Sequence, residues 1–191
     1  MDDFEYIERA KQTVFYQKKL ANVDTQLWSN IPFTTKQDLR DADEFDLLGV
    51  DMKDLATYHE TSGTSGKPSP SWISHRDTLQ EAHLLMDSDL NLTENDLILN
   101  RFPFAIAIPA FILYWTAKEV KAGFISADQW NAAAPLSRAI EIIKKINPTI
   151  LAIGSNEAIR LYHVAKAMGV TFPTQNLRAI IVAEDSSYRK R

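Results

Sequence analysis

The stretch SRAIEIIKKINPTILAIGSNEAIRLYHVAKAMGVTFPTQNLRAIIV, residues 137–182, decides the fold class. Ala139, Ile142, Ile143 and Ile146 recur at helical spacing over Ser137 to Ile146, and Asn147-Pro148 stops the pattern because the residue before a proline is pushed out of the α region. Thr149 to Ile153 is then a short apolar strand. Asn156 to Met168 reads as a helix capped by Ser155 and closed by Gly169, and Leu177 to Val182 as a second buried strand. Upstream the same alternation holds. Leu97-Ile98-Leu99 is a strand, Ala110 to Val120 a helix ended near Gly123, and Gly123-Phe124-Ile125 the start of another strand. Strand and helix in strict alternation predict an α/β fold, with helices packed on a largely parallel sheet.

Earlier in the chain, Phe4, Ile7, Ala10, Val14 and Phe15 predict one amphipathic helix over residues 3–21. Thr35 with Asp38 three residues on has the form of a capping box, and Ser74 with Asp77 in the next turn caps a helix from about His75 to Met86. The acidic stretch 41–54 is irregular and reads as a flexible linker. Residues 1–60 are therefore expected to form a helical and irregular opening segment, and residues 61–191 the α/β part.

Composition narrows the function. A chain of 191 residues is long enough to bury roughly 70% of its unfolded surface without covalent or metal staples. It has no Cys, which excludes a disulfide framework, a thiolate metal site and a Cys nucleophile. The net charge of −4 carries no basic patch, so nucleic acid is not an expected partner. The longest apolar run, Phe102 to Thr116, is interrupted by Pro103 and Pro109 and falls short of the ~20 residues a bilayer span needs. No membrane association is expected, and the address by default is cytoplasmic.

Chemistry concentrates in Thr61-Ser62-Gly63-Thr64-Ser65-Gly66-Lys67-Pro68. Glycines let backbone amides approach a ligand closely, Ser and Thr add hydroxyl donors, and Lys67 adds a cation, so the segment suits an anion with several acceptor oxygens. Polyphosphate fits that description. The spacing is not that of a Walker loop, because Gly63 and Gly66 are two residues apart and Pro68 follows Lys67; nor is there a Gly-x-Gly-x-x-Gly in the chain. A polar surface loop that binds nothing is the competing reading.

These residues, followed by Ser74-His75-Arg76, resemble the phosphate-loop signature of the adenylate-forming (AMP-forming) acyl-CoA synthetases and ligases. Ile31-Pro32-Phe33-Thr34-Thr35-Lys36-Gln37-Asp38-Leu39-Arg40 resembles the phenylacetate-CoA ligase branch, as do Asn147 to Leu151 and Leu177 to Glu184, in the family's order. Where many relatives continue Pro-Lys-Gly the chain has Pro68-Ser69-Pro70, which fits that branch; Phe102 to Ala107 lacks the histidine many relatives carry. The resemblance implies a two-step reaction, in which a carboxylate attacks the α-phosphate of Mg-ATP and a thiol then displaces AMP. It assigns Thr61, Ser62, Gly63, Thr64, Ser65, Gly66 and Lys67 to the ATP phosphates, with ATP, Mg²⁺ and coenzyme A or carrier-protein pantetheine as cofactors and a small aryl or acyl carboxylic acid as substrate. No catalytic or metal-ligating residue is assigned. A second copy of the chain or an acyl carrier protein is an open partner.

The family's adenine pocket, its magnesium-holding Thr-Glu pair, its ribose-binding acid and its C-terminal domain lie beyond the stretch that matches. The chain is thus expected to be an incomplete N-terminal domain of that fold, truncated and inactive alone. The alternative is a non-catalytic partner-binding module derived from it. Four local readings stay open: Phe102 to Trp115 as acid pocket or as core, His59 with Glu60 as ligand contacts or as loop-ordering residues, His75 as a residue fixing the helix after the loop, and Glu184 as ligand neighbour or helix cap. His83 and His163 fall on helix patterns, where structural or exposed positions are expected.

Overall fold

The computed structural model describes residues 3–61, 67–105 and 107–183, and divides into two compact units, Met1–Thr78 and Leu79–Arg191. The first unit holds helices α1 (Asp3–Ala10), α2 (Val14–Leu20) and α3 (Lys36–Asp41) and strands β1 (Leu55–Glu60) and β2 (Pro70–Ser74). Two helices replace the single one expected over residues 3–21. Thr13 causes the break: its hydroxyl donates to Ala10 O (2.8 Å) and accepts from Tyr16 N (3.2 Å), which closes α1 and N-caps α2. At α3 the capping box is present in both directions, Thr35 Oγ1 accepting from Asp38 N and Asp38 Oδ2 from Thr35 N.

The acidic stretch 41–54 is not a free linker. Asp46 O accepts from Phe15 N (2.9 Å), its carboxylate pairs with Lys18 (3.0 Å), and Glu44 O accepts from Trp72 Nε1 (2.9 Å). Donors of the same unit thus hold this segment at several points. Ser74 opens helix α4 (His75–Met86) as expected, with Asp77 Oδ2 accepting from both the backbone N–H and the hydroxyl of Ser74 (2.9 and 2.7 Å) and Ser74 Oγ accepting from Asp77 N (3.2 Å).

In the second unit the predicted alternation appears as β3 (Leu97–Asn100), α5 (Pro109–Val120), β4 (Gly123–Ser126), α6 (Leu136–Ile146), β5 (Ile150–Ile153), α7 (Ser155–Ala167) and β6 (Ala179–Val182). The four strands are parallel throughout, in the order β4-β3-β5-β6. Successive strand residues face opposite ways, and the core divides accordingly. Ile98, Ile150 and Ala152 pack with Ala110, Leu113 and Ala117 of α5; Leu99, Leu151 and Ile153 pack with Ala139, Ile140 and Ile143 of α6 and Leu161 and Ala165 of α7. Both faces are covered at β3 and β5, as a parallel sheet requires, while Ile180 and Val182 on edge strand β6 are exposed.

Helix ends differ in detail from the expectation. Lys121, at φ 62°, ends α5, and its backbone N–H reaches Ala117 O and Lys118 O. Gly123 starts β4 as expected, beside Leu97, where a Cβ would lie 2.7 Å from Leu97 Cδ1. Gly154 rather than Ser155 occupies the N-cap of α7, while Asn147 at φ 56° closes α6 and Gly169 at φ 66° follows α7. Among the described residues no helix is long and apolar enough to cross a membrane.

The amino ends of three strands are tied by one charged cluster. Asp96, buried, accepts from Arg178 Nη2 (2.7 Å) and Nε (2.8 Å), Thr149 Oγ1 (2.8 Å) and Thr93 N (3.0 Å), and Arg178 also donates to Leu90 O and Asn91 O. The Arg178 hydrogen bonds hold the Asp96 carboxyl well below the usual carboxylate range, and Asp96 in turn raises Arg178. A carboxylate depressed in the folded state contributes stability above its unfolded pKa of about 3.9, and that contribution is lost as pH falls through the folded value. Asp96→Asn should therefore cost about 1–3 kcal/mol at neutral pH in urea unfolding. Its deficit relative to the wild type should shrink below about pH 4; an equal deficit at every pH contradicts the ionised role.

Candidate functional site

Strands β1 and β2 form an antiparallel hairpin with Tyr58 opposite Trp72, His59 opposite Ser71 and Glu60 opposite Pro70. One step beyond that last pair, Thr61 N donates to Ser69 O (3.1 Å) and Ser69 N to Thr61 Oγ1 (3.0 Å). The hydroxyl-rich segment is therefore the connection of a hairpin whose two ends are clamped together. Sequence patterning did not reveal these strands. Their one visible signal is the aromatic pair: Trp72 lies 4.6 Å from Tyr58 and 5.3 Å from Phe45 between ring centroids, stacked on the latter.

Of the seven residues expected at the phosphates, the structure places Thr61 and Lys67 at the two ends of this connection; Ser62, Gly63, Thr64, Ser65 and Gly66 lie outside the described residues. Thr61 Oγ1 accepts from the Ser69 amide, so its own proton is left to donate outward, and an oxygen already accepting a hydrogen bond is a stronger donor. Lys67 is exposed. Both fit an anionic guest.

The stem's other polar groups serve the stem. His59 is buried with a ring nitrogen 2.9 Å from Thr57 Oγ1, and Glu60 Oε1 accepts from Tyr58 Oη at 2.7 Å. That hydrogen bond to a carboxylate, with burial adding to it, pushes the Tyr58 phenol up to about 12. His75 opens α4, where its carbonyl accepts from Thr78 Oγ1. His83 and His163 are exposed, and Glu184 lies outside the described residues. Among the described residues no group of three or more His, Asp or Glu side chains is placed to hold a metal ion, so no residue is assigned to Mg²⁺.

In the second unit, Phe102, Ala110 and Leu113 belong to the core under α5, which is the packing reading of the Phe102 to Trp115 run. Phe104 meets Phe111, Tyr114 and Phe124 edge-on at 5.1–6.3 Å, and its backbone N–H donates to Asp128 Oδ2 at 2.8 Å. The carboxyl edge of this sheet also holds an ion pair that sequence reading missed. Arg101, directly after β3, and Glu157, in the first turn of α7, are 1% and 3% exposed and hydrogen bond through Nη2 and Oε1. Arg101 Nη1 donates to the carbonyls of Ala127 and Ala134. A lone arginine inside the apolar run LILNRFPF was the available signal.

No family model matches the chain. It is 40% identical over 57 residues to phenylacetate-coenzyme A ligase of Escherichia coli (strain K12), which is 30% of this chain and 13% of that one. Over 39 residues, 20% of this chain and 9% of the relative, it is 51% identical to phenylacetate-coenzyme A ligase of Thermus thermophilus. Its fold is similar to 2-hydroxyisobutyryl-CoA ligase in complex with 2-HIB-AMP and CoA, with TM-score 0.77 and 18% identity over 94% of this chain and 41% of that one. It is also similar to a long-chain-fatty-acid-CoA ligase (FadD1) from Archaeoglobus fulgidus, with TM-score 0.56 and 19% identity over 67% and 24%. The chain spans less than half the length of these solved structures, and its sequence matches cover a small share of the curated relatives.

Two outcomes follow from the stem. Thr61→Val removes the acceptor for Ser69 N and should lower stability by about 0.5–1.5 kcal/mol in urea unfolding, with faster exchange of the Ser69 amide. Glu60→Gln should bring the Tyr58 phenol down toward its ordinary range in an ultraviolet titration; an unchanged midpoint contradicts the assigned cause.

Proposed function

We propose that this chain, which has the fold of the adenylate-forming CoA ligases, is the N-terminal part of an AMP-forming carboxylic acid ligase of the phenylacetate-CoA ligase type. In that reading a small aryl or other apolar carboxylate attacks the α-phosphate of ATP to give an acyl-adenylate and pyrophosphate, and the thiol of coenzyme A or of a carrier-protein pantetheine then displaces AMP. Mg²⁺ supplies charge neutralisation of the phosphates when bound. A cytoplasmic address suits these substrates.

The single observation that carries the reading is the clamped hairpin. It bears the segment Thr61 to Lys67 between strand ends tied by Thr61 and Ser69, in a chain whose sequence matches are to two phenylacetate-CoA ligases. The chain's residues with an assigned role would act on the phosphates. The hydroxyls of Thr61, Ser62, Thr64 and Ser65, the amides at Gly63 and Gly66 and the Lys67 ammonium would orient the triphosphate, and would hold it more tightly as charge moves onto the departing pyrophosphate. Donors that strengthen with that charge lower the barrier rather than merely tightening binding.

The 191 residues by themselves are expected not to form adenylate. They span about two-fifths of 2-hydroxyisobutyryl-CoA ligase (41%), and phosphate contacts by themselves leave the α-phosphate unaligned for attack. In the full gene product, carboxylate-dependent ATP–pyrophosphate exchange across a panel of aryl acids should be readily measured. Lys67→Ala should reduce it on the order of 10²–10³-fold. No exchange with any acid, or exchange untouched by Lys67→Ala, contradicts the reading.

A further inference from the structure

We propose that Arg101 and Glu157 are a positioning pair that holds the connections at the carboxyl edge of the parallel sheet in one preformed arrangement. The topology makes that edge special. Neighbouring strands β3 and β5 send their helices to opposite faces, α5 to one and α7 to the other, and ligands of open α/β sheets bind at such a switch point outside the strand carboxyl ends. That the ligand here is a carboxylic acid or its adenylate rests on the ligase reading above; the positioning itself does not.

Among the described residues, one arginine joins the connections that follow β3, β4 and β5 at this edge. Arg101 lies on the β3–α5 connection, Ala127 and Ala134, whose carbonyls it binds, lie on the β4–α6 connection, and Glu157 lies at the start of α7 after β5. The backbone reinforces the node: Arg101 N donates to Ala152 O (2.7 Å), Gln129 N to Arg101 O (3.0 Å) and Ala127 N to Asn100 O (2.9 Å). Asn100, fully buried, accepts from Phe102 N and donates to Phe102 O, which bends the chain immediately after Arg101.

Stability is a poor explanation for such a pair. Desolvating two charges offsets most of their attraction, and apolar residues of similar volume are often as stable or more so. Arg101 Nε and Glu157 Oε2 are also buried with no hydrogen-bond partner among the described residues, which adds to the cost. What the guanidinium supplies is direction. Its planar fork binds carbonyls and a carboxylate at fixed angles, and neither an apolar side chain nor a lysine reproduces that.

Hydrogen exchange on the 191-residue chain, without ligand, tests this against a purely structural role and independently of the ligase reading. In the double variant Arg101→Met/Glu157→Leu the urea midpoint should stay at or above the wild-type value, while the Phe104, Ala127 and Gln129 amides exchange roughly tenfold faster or more and the β5 amides are unchanged. Arg101→Lys, which keeps the charge and loses the fork, should also speed exchange at those three amides. The proposal is overturned if the three amides keep wild-type protection, if exchange rises evenly across the unit in step with a fallen midpoint, if the double variant fails to fold, or if lysine restores full protection.

Discussion

A strand whose four residues are all buried, Ile150 to Ile153, exists only if helices enclose it from both sides, and the second unit is organised by that requirement. Ile150 and Ala152 commit one face to α5, and Leu151 and Ile153 commit the other to α6 and α7. Parallel pairing to β3 and β6 then follows, because crossovers through helices return each strand in the same direction. With both faces of β3 and β5 spent on packing, the ends of these strands are left for other work. The amino edge is taken by Asp96, Thr149 and Arg178, which close it, and the carboxyl edge by Arg101 and Glu157, which tie its connections.

The first unit works by a different constraint. The register of its two-stranded hairpin is supported by the Tyr58 and Trp72 pair, by Phe45 stacked on Trp72 and by the Glu44 carbonyl that receives the indole N–H. This is why the acidic segment before β1 is part of the unit rather than a tether. The stem delivers Thr61 and Ser69 into mutual hydrogen bonding, and the segment between them starts and ends at a defined place.

How far the sequence could be read follows from the same physics. The α/β alternation of residues 97–182 was legible because helix and strand periods in that stretch are clean and bounded by Asn147-Pro148 and Gly169. The capping boxes at Thr35 and Ser74 were legible because they need only local residues. The hairpin was not: LATYHE and PSWIS lack strict alternation, and Pro70 argues against a strand except at an edge. The end of α5 at Val120 was legible, whereas the left-handed Lys121 that caps it was not, because a positive φ is uncommon for lysine and residue type does not announce it. Of the candidate site, composition singled out residues 61–67 as a segment, whereas the clamp beneath it and the Arg101 node were not legible because they join residues 8 and 56 positions apart.

The ligand of the hairpin connection decides the function of this chain. A crystal structure of the full gene product with a non-hydrolysable ATP analogue should show phosphorus atoms against the amides and hydroxyls of residues 61–66, with the Lys67 ammonium beside them. A nucleotide bound elsewhere, with no phosphate oxygen in hydrogen-bond reach of those residues, would contradict the account.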